Sequence, residues 1–416
     1  MVAMDSRSHG TGHLPWEQTL SNLTVGQHNM SKQLGDQLTV AHYTDIFLWA
    51  HGTWIYPQLT RLRRFRAIVL CSKTQNLNWF PFEPIYSYHD AVPLLIRLMD
   101  RILHKVGFNA IYPSYFYRVL STEKVALIHA HFGPGGVAML PFACRLTLPL
   151  VTTFYGYDMS QLVRDPFWLA KYRELFARGA AFLVEGNFMK EQLVRLGCPA
   201  DKVIVQHIGV DCAKFKYRER KLNPGEPVRI LIAAAFREKK GIEYALKAFA
   251  QVYQKNPDIR LRILGDGPLR ARIERLIKEL GIATVVTMLG EQPYAVFRDE
   301  LERAHLFLSP SVTASDGDTE GGCPVAIIEA QATGLPVLST FHADIPEVVI
   351  HGKTGLLAPE KNVAVLADNL SYLVTHPEVW ADMGRRGREH VEREYNVVHQ
   401  IARLEDIYES ILDRSQ

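Results

Sequence analysis

A regular alternation of short apolar runs with longer segments of helical periodicity constrains the fold of this chain most strongly. The runs Val125–His129, Leu150–Phe154 and Ile259–Leu264 are bounded by polar, glycine or proline residues, which is typical of strands buried on both faces of a parallel sheet. Segments such as Pro166–Arg178 and Ile242–Tyr253 have the spacing of helices. The 416 residues are enough for two doubly wound α/β sheets. We therefore predict two such domains facing each other across a cleft, where ligands of this architecture bind.

The domain boundaries are predicted from changes in composition along the chain. Residues 1–37 are rich in Ser, Gly, His, Asn and Gln, and we expect a flexible N-terminal extension there. Lys214–Pro227 is charged and then turn-forming, which indicates a linker. The prediction is a first Rossmann-like domain over 38–220, a second over 221–395, and a C-terminal helix over 396–416 that packs back on the first domain.

Basic residues are concentrated in the first half of the chain. Leu38–Gly225 contains 23 Lys and Arg against 13 Asp and Glu, whereas Glu226–Gln416 contains 22 against 28. This asymmetry suggests that the first half meets an anionic partner. No nucleic-acid recognition motif accompanies the charge, which disfavours a nucleic-acid partner. The basic residues lie in two groups: Arg61, Arg63, Arg64 and Arg66, and then Arg97, Arg101 and Lys105.

The second basic group lies at four-residue intervals on a predicted helix, Leu94–Lys105. Two interpretations are open. The helix either packs into the core and leaves a solvated basic edge, or it docks on anionic lipid headgroups.

The sequence favours a cytoplasmic protein, with peripheral contact at the inner face of the membrane if that helix docks. The longest apolar stretches, such as Ile230–Phe236, are far shorter than the roughly 18–20 residues that span a bilayer. The N-terminus has no apolar segment of the kind found in secretory signals. The cysteines are odd in number and form no CxxC pair, so we expect thiols in a reducing compartment. They are Cys71, Cys144, Cys198, Cys212 and Cys323.

The stretch Ser309–Val337 carries the strongest chemical signal. A strand ends, a polar loop follows, and a helix then begins whose N-terminal N–H groups and positive dipole end suit a diphosphate. Gly321 and Gly322 allow a ligand to approach the backbone closely. Glu320 lies just before the helix and Glu329 about one and a half turns inside it. One carboxylate can therefore face a sugar while the other reaches a ribose.

Together with further motifs, this stretch resembles the glycosyltransferase family 4 group of retaining enzymes, which have the GT-B fold. The resemblance implies transfer of a hexose from a nucleotide sugar of the UDP-glucose type, without a metal or other cofactor, to a saccharide or lipid-linked saccharide. Bacterial members that build exopolysaccharide or lipopolysaccharide look most similar. The further motifs are IHAHFGPGG (128–136), VTTFYGYD (151–158), GVD (209–211), REKKG (237–241), GDGP (265–268), LGEQP (289–293), HADIPE (342–347) and GKTG (352–355).

The resemblance also implies roles for individual residues. Glu320 is expected beside the transferred sugar, Lys240 on the diphosphate and Glu329 on the ribose. The other donor-binding residues implied are Gly52, Gly265, Leu289, Gly290, Gly321, Gly322, Val325 and Ala326. The strand ends and following loops of the first domain add His129, His131, Tyr155 and Asp158 as cleft or acceptor residues.

The sequence departs from the family pattern at three places, of which Ala235 and Tyr155 motivate an alternative function. Ala235 stands where the family has an arginine, and we expect Arg237 to reach the same place if the strand continues. Tyr155 stands where the family often has histidine, and one extra residue separates Glu320 from Glu329. The alternative is a catalytically inactive partner that binds nucleotide sugar or regulates another transferase.

Two metal-binding patterns are disfavoured. Asp316 and Asp318 form a DGD sequence, but it follows two α/β halves rather than standing early in the chain, so we interpret it as a loop. His129 and His131 lack a clear third ligand for zinc. We expect no metal site. No carboxylate is evident opposite Glu320 to act as a covalent nucleophile, so return of the acceptor hydroxyl on the same face of the sugar is the expected route.

Overall fold

The computed structural model describes residues 37–48, 54–105 and 111–415. The predicted N-terminal extension, apart from residue 37, and the candidate donor-binding Gly52 lie outside the described residues.

Two parallel sheets organise the described residues, as the alternating pattern predicts. The strands of the first sheet are β1 (Leu38–Phe47), β2 (Phe65–Thr74), β3 (Ile85–Ser87), β4 (Val125–His131), β5 (Leu150–Thr153), β6 (Ala181–Val184) and β7 (Val203–Val205). Those of the second are β8 (Val228–Ala233), β9 (Ile259–Leu264), β10 (Val286–Gly290), β11 (Leu306–Leu308), β12 (Val337–Thr340) and β13 (Gly355–Ala358).

Helices connect the strands and cover both sheets. In the first half they are α1 (Ile55–Thr60), α2 (Tyr88–Ala91), α3 (Leu94–Lys105), α4 (Ile111–Thr122), α5 (Gly133–Leu146), α6 (Pro166–Arg178) and α7 (Asn187–Arg195). In the second half they are α8 (Ile242–Lys255), α9 (Arg270–Glu279), α10 (Tyr294–Arg303), α11 (Val325–Ala332), α12 (Ile345–Val348), α13 (Val363–Thr375), α14 (Trp380–Glu394) and α15 (Val397–Ser415).

The strand order creates one crevice in each sheet. The first sheet has the order β3-β2-β1-β4-β5-β6-β7 and the second has the order β10-β9-β8-β11-β12-β13. The order reverses between β1 and β4 and again between β8 and β11. Ligands of doubly wound sheets bind outside the carboxyl ends of the strands at such reversals. The loops that follow these strands are therefore where a site is expected.

The last helix, α15, returns from the second sheet to the first. Leu404 and Tyr408 of α15 are buried against Val40, Leu127 and Leu183 of the first sheet. Because α15 contributes buried apolar side chains to the same cluster as β1, β4 and β6, it is part of the first core.

The apolar side chains described in helix α3, all in its first half, are not packed into a core. Leu94, Leu95, Leu98 and Met99 are between 43% and 76% exposed. The interpretation of α3 as a core-packed helix with a solvated edge is therefore wrong for the described side chains. A row of exposed leucines beside basic residues is typical of a helix that binds an interface. No helix in the described parts of the chain is long and apolar enough to cross a bilayer.

The arginines between residues 61 and 66 are mostly engaged within the chain. Arg61 pairs with Asp211, and Arg66 Nη1 lies 2.7 Å from Glu123 Oε2. Arg64 binds three carboxylates of α15, those of Glu405, Asp406 and Glu409. Arg61 and Arg64 thus join the first domain to the GVD segment and to α15, and the charge of all three arginines is largely neutralised by the protein itself.

Candidate active site

A buried ion pair lies at the reversal between β8 and β11. A 3₁₀ turn, Glu238–Lys240, follows β8 and presents Lys240, whose Nζ donates to Glu320 Oε2 at 2.8 Å. Ser311 Oγ donates to the other carboxylate oxygen at 2.7 Å. The Glu320 side chain is 6% exposed. Burial alone would raise the pKa of Glu320, but Lys240, Lys239 and the Ser311 hydrogen bond outweigh it and hold that pKa below its usual range. Glu320 is thus a fixed, ionised carboxylate.

His342 fixes the backbone of Glu320, a role that the sequence analysis missed. The Glu320 N–H donates to His342 Nε2 at 3.1 Å, and the other ring nitrogen lies 2.7 Å from Glu360 Oε1. Because Nε2 accepts, the proton belongs on Nδ1 and is donated to Glu360. His342 belongs to the HADIPE motif, which was matched as a family feature without a role for its histidine.

Glu329 lies in α11, beyond the loop that carries Glu320, and has a different environment. It lies inside α11, is 8% exposed, and accepts a hydrogen bond from the hydroxyl of Tyr294. Burial raises the pKa of Glu329 to about 7, against the lowering effect of that hydrogen bond. No other hydrogen bond to this carboxylate is present in the described part of the chain. Val325 and Ala326 lie in the first turn of the same helix. This short helix therefore presents backbone N–H donors at its N-terminus and the carboxyl group of Glu329 further along.

The residues expected to contact a nucleotide base lie together at the ends of β9 and β10. The Gly265 N–H donates to the carbonyl of Gly290 at 2.8 Å, and Leu289 is half-buried beside it. Gly265 has φ +135°, and a methyl group there would lie 2.0 Å from the carbonyl oxygen of Ala234. Only glycine fits this close approach of two strand ends.

Arg237 does not have the position that the sequence analysis expected. Strand β8 ends at Ala233, and the chain turns at once, with the Arg237 N–H donating to the carbonyl of Ala235. The argument that residues 235 and 237 share one strand face therefore fails. Arg237 is exposed.

The DGD carboxylates are bound by side chains of this protein. Lys239 Nζ donates to Asp318 Oδ1 at 3.1 Å, and Gln161 Nε2 donates to Asp316 Oδ2 at 2.6 Å. Arg164 also donates to the backbone carbonyl of Asp316. Because side chains of the protein already donate to both carboxylates, this segment is suited to a loop packed on the first domain, in accord with the loop interpretation. It is not suited to hold a metal ion, which needs the carboxylate oxygens as ligands.

The first-domain histidines form a buried cluster instead of lining the cleft. His42, His129 and His131 have nitrogen atoms within 4.8 Å of one another, so a third histidine does lie beside the HxH pair. However, His129 is bonded to Tyr408 and Thr153, and His131 to Tyr155 and His42. Burial lowers the pKa of His129 and His131 well below the usual value and that of His42 to about 3. The cluster is therefore a neutral hydrogen-bonded core.

The four residues expected in the cleft are buried, and for His129, His131 and Asp158 the exposed fraction is at most 1%. His129, His131, Tyr155 and Asp158 are at most 8% exposed. The Asp158 carboxylate accepts the N–H of Gly133 at 2.8 Å and that of Tyr155 at 3.0 Å. It thereby ties the start of α5 to the loop after β5. In this structure these side chains form the wall of the first domain, and contact of Tyr155 with an acceptor stays a prediction.

The two domains touch at a pair of glycines. Gly156 (φ +109°) and Gly321 (φ +78°) pack backbone against backbone, and a methyl group on either would lie 2.3 Å from the other segment. Both positions require glycine for conformation and for space. The loop after β5 therefore lies directly on the sequence that presents Glu320.

A carboxylate of the first domain lies against the segment that follows Glu320, although the sequence predicts none on that side of the cleft. Glu185 follows β6 directly, and its Oε2 would lie 1.8 Å from a methyl group at Gly322. The available signal was a glutamate immediately after the buried run AFLV, at the edge where sites gather.

The fold and this site together define a two-domain glycosyltransferase of the GT-B type. The family model for Glycosyl transferases group 1 matches residues 213–390, and that for Glycosyltransferase Family 4 matches residues 63–214. The putative colanic acid biosynthesis glycosyltransferase WcaL of Escherichia coli (strain K12) is 36% identical over 291 residues, 69% of this chain and 71% of that protein. The chain belongs to glycosyltransferase family 4.

Other relatives and solved structures agree with this placement. The amylovoran biosynthesis glycosyltransferase AmsK of Erwinia amylovora is 34% identical over 261 residues, 63% of this chain and 64% of that protein. Anabaena Alr3699/HepE in complex with UDP-glucose superimposes with a TM-score of 0.71 at 16% identity, over 90% of this chain and 100% of that one. The lipopolysaccharide outer core galactosyltransferase WaaB gives 0.66 at 13% identity, over 90% and 100%. The structural matches show the shared fold.

Proposed function

We propose that the protein is a retaining hexosyltransferase. It moves a hexose from a nucleotide sugar of the UDP-glucose type to a saccharide or lipid-linked saccharide in the synthesis of a cell-surface polysaccharide. The observation that carries the proposal is the buried Lys240–Glu320 pair beside the N-terminus of α11. The names of the relatives, which concern colanic acid and amylovoran, support the polysaccharide context. The UDP-glucose complex of a protein with the same fold supports the donor class.

The arrangement can stabilise a departing diphosphate without a metal ion. Lys240 and the free N–H groups at Val325 and Ala326 supply positive charge and donors on one side of the cleft. Negative charge grows on the diphosphate as the glycosidic bond breaks, and fixed donors aimed at that charge lower the barrier. Glu320, held ionised, accepts hydroxyl groups of the sugar, and Glu329 accepts those of the ribose. The acceptor hydroxyl then attacks from the face that the diphosphate leaves, and the diphosphate takes its proton.

The alternative is a non-catalytic protein that binds nucleotide sugar. Ala235 in place of the family arginine favours it, since Arg237 is exposed beyond the end of β8. The Lys240–Glu320 pair weighs against it, because a buried ion pair in a cleft is costly to keep without a function.

One assay separates these functions. Purified protein is incubated with UDP-glucose, UDP-galactose or GDP-mannose, with and without a lipid extract from bacterial membranes, and release of nucleoside diphosphate is measured. The transferase predicts release that rises with the extract. A donor that raises Tm by selective binding to the folded state, yet releases no diphosphate, would establish the alternative. If neither binding nor release occurs, both functions are wrong.

We also propose that α3 docks on an anionic membrane, in accord with a lipid-linked acceptor. Its exposed leucines supply the apolar contact, and the sequence places Arg97, Arg101 and Lys105 at four-residue intervals along it. The arginines between 61 and 66 contribute less than their number suggests, because most of them are paired within the chain.

A further inference from the structure

Glu185 of the first domain reaches into the sequence that presents Glu320 in the second. A methyl group at Gly322 would lie 1.8 Å from Glu185 Oε2 and 2.7 Å from Glu185 Cβ. Gly322 does not have a positive φ, unlike Gly321. Space for the Glu185 side chain, rather than backbone conformation, is therefore what requires glycine at position 322.

The backbone around Glu185 is fixed, whereas its carboxylate has no partner. His207 Nδ1 donates to the Glu185 carbonyl at 2.6 Å, and the next residue, Gly186, packs directly on Asp344 of the second domain. In residues 37–48, 54–105 and 111–415, no side chain or backbone N–H forms a hydrogen bond or ion pair with the carboxylate. Glu320, on the other side of Gly322, has two such partners. A fixed carboxylate in the cleft without a protein donor is suited to a donor from a ligand.

We propose that Glu185 binds a sugar hydroxyl in the active site, so that a sugar is held between two glutamates, one from each domain. Sugar hydroxyls donate and accept hydrogen bonds, which a carboxyl group in either protonation state can satisfy. The hydroxyl belongs to the donor hexose or to the acceptor sugar, since both meet at this point of the cleft. This inference rests on the proposed transferase function and adds to it a residue that recognises the sugar through a hydrogen bond.

The surroundings of Glu185 suit hydroxyl binding better than nucleophilic attack or metal binding. Burial raises the pKa of Glu185 well above its usual value, and the nearby acidic groups of Asp344, Asp158 and Glu320 raise it further, against the lowering effect of Lys240. A carboxyl group that retains its proton is a weak nucleophile and a poor cation ligand. It can still donate one hydrogen bond and accept another.

Two variants and one matched control test the proposal. Glu185→Ala removes the carboxyl group, and Glu185→Gln keeps its shape and hydrogen-bonding capacity. Glu191→Gln changes an exposed glutamate on the adjacent helix α7, outside the cleft. Calorimetry measures the Kd of UDP and of UDP-glucose for each protein. Turnover is measured as hydrolysis of UDP-glucose in water and as transfer to increasing amounts of the lipid extract.

The two sources of the hydroxyl predict different results. If the donor sugar is bound, Glu185→Ala weakens UDP-glucose binding and slows hydrolysis by about tenfold, the size of one hydrogen bond, while UDP binds as before. If the acceptor is bound, donor binding and hydrolysis stay unchanged, and the half-saturating amount of extract rises by about tenfold. In either case Glu185→Gln stays within about threefold of wild type, and Glu191→Gln behaves as wild type.

Three results would overturn the role of Glu185. The first is a Glu185→Ala protein that matches wild type in both arms. The second is an equal loss of UDP and UDP-glucose binding, which would indicate damage to the nucleotide site or to domain closure. The third is a Glu185→Gln protein as impaired as Glu185→Ala. Failure of the proposed function is distinguishable, because wild type itself would then release no UDP, whether or not it binds UDP-glucose.

Discussion

Two glutamates nine positions apart have opposite electrostatic surroundings. Glu320 has a lowered pKa because Lys240, Lys239 and Ser311 outweigh its burial, whereas burial raises the pKa of Glu329 to about 7. The sequence predicts both positions and their spacing but not this difference, which depends on the partners brought by the turn after β8 and by α10. The ionised carboxylate of Glu320 and the carboxyl group of Glu329, which titrates near neutral pH, are therefore chemically distinct groups.

Removing Lys240 is expected to slow turnover. The ammonium group is the cation nearest Glu320 and is placed to meet charge on the leaving diphosphate, so Lys240→Ala should reduce kcat by about 10²-fold or more. Glu320→Gln should have an effect of similar size, because it removes the charged acceptor for sugar hydroxyls. Steady-state release of nucleoside diphosphate measures both. Wild-type turnover in the two variants would contradict the assignment of this pair.

The same pair makes a stability prediction. The Glu320 side chain is 6% exposed and that of Lys240 is 19% exposed, so Lys240→Met leaves a buried carboxylate without its cation. Breaking such a pair from one side costs roughly 3 kcal/mol. The double variant Lys240→Met/Glu320→Gln should recover much of that loss, since no unpaired charge remains. Urea denaturation of the wild type, both single variants and the double variant measures the coupling. An additive double variant would show that the charges do not interact.

At the scale of elements, helix α7 is capped by the opposite domain. Gly186 precedes it and offers no side-chain cap. Instead, the carboxylate of Asp344 accepts the N–H of Phe188 at 2.7 Å, and that of Glu347 accepts the N–H of Asn187 at 2.8 Å. The N-terminal donors of one domain are thus satisfied by the HADIPE motif of the other. This contact links closure of the cleft to the start of a helix that directly follows Glu185.

The cap predicts a pH dependence of stability. Burial, with Glu347 nearby, raises the pKa of Asp344 to about 7 in spite of the two N–H donors. The folded protein therefore keeps this proton after the unfolded chain has lost it, and the contribution of Asp344 to stability falls as pH rises from about 4 to about 7. Asp344→Asn keeps an oxygen acceptor and removes the titration. The free energy of unfolding of Asp344→Asn minus that of wild type should therefore increase as the pH is raised from 5 to 8.

Exposed Asp258 supplies the matched control. Asp258→Asn removes a carboxylate at the surface, far from the α7 cap, and should follow the wild-type pH profile. Parallel profiles for wild type and Asp344→Asn would show that Asp344 titrates normally.

Helices and strands could be predicted where the sequence pattern that specifies them lies within one segment. Pro166–Arg178 and Ile259–Leu264 have the bounds that the sequence predicts, because period and capping are contained in each segment. The cap on α7 joins residues 156 positions apart, and the burial of His129 depends on Tyr408, 279 positions away. Contacts between residues so far apart in the chain produce no periodic pattern in the sequence, so they could not be predicted from it. This is also why Glu185 was missed and why His129 and His131 were placed in the cleft.

At the scale of the whole molecule, the C-terminal helix α15 completes the first domain. Arg64 binds Glu405, Asp406 and Glu409 of α15, and Tyr408 bonds to His129 beneath β4. The basic group at 61–66 thus serves domain assembly to a large extent. The positive charge of the first half that can attract an external partner therefore lies on other elements, such as α3.

Membrane docking is tested with the whole protein and anionic vesicles. The change Arg97→Gln, Arg101→Gln and Lys105→Gln removes three charges, each worth about 1 kcal/mol near an anionic surface. We expect it to abolish sedimentation with vesicles that contain phosphatidylserine while leaving UDP binding intact. Wild-type binding should weaken with added salt, since the Debye length falls from about 10 Å at 0.1 M to about 3 Å at 1 M. Leu95→Ser with Met99→Ser should weaken binding at every salt concentration, because it removes exposed apolar surface.

The control Arg178→Gln, Arg195→Gln and Arg386→Gln makes the same change in net charge at exposed positions outside α3. It should sediment as wild type does. Equal sedimentation of the α3 variant and wild type would show that α3 is not the docking surface.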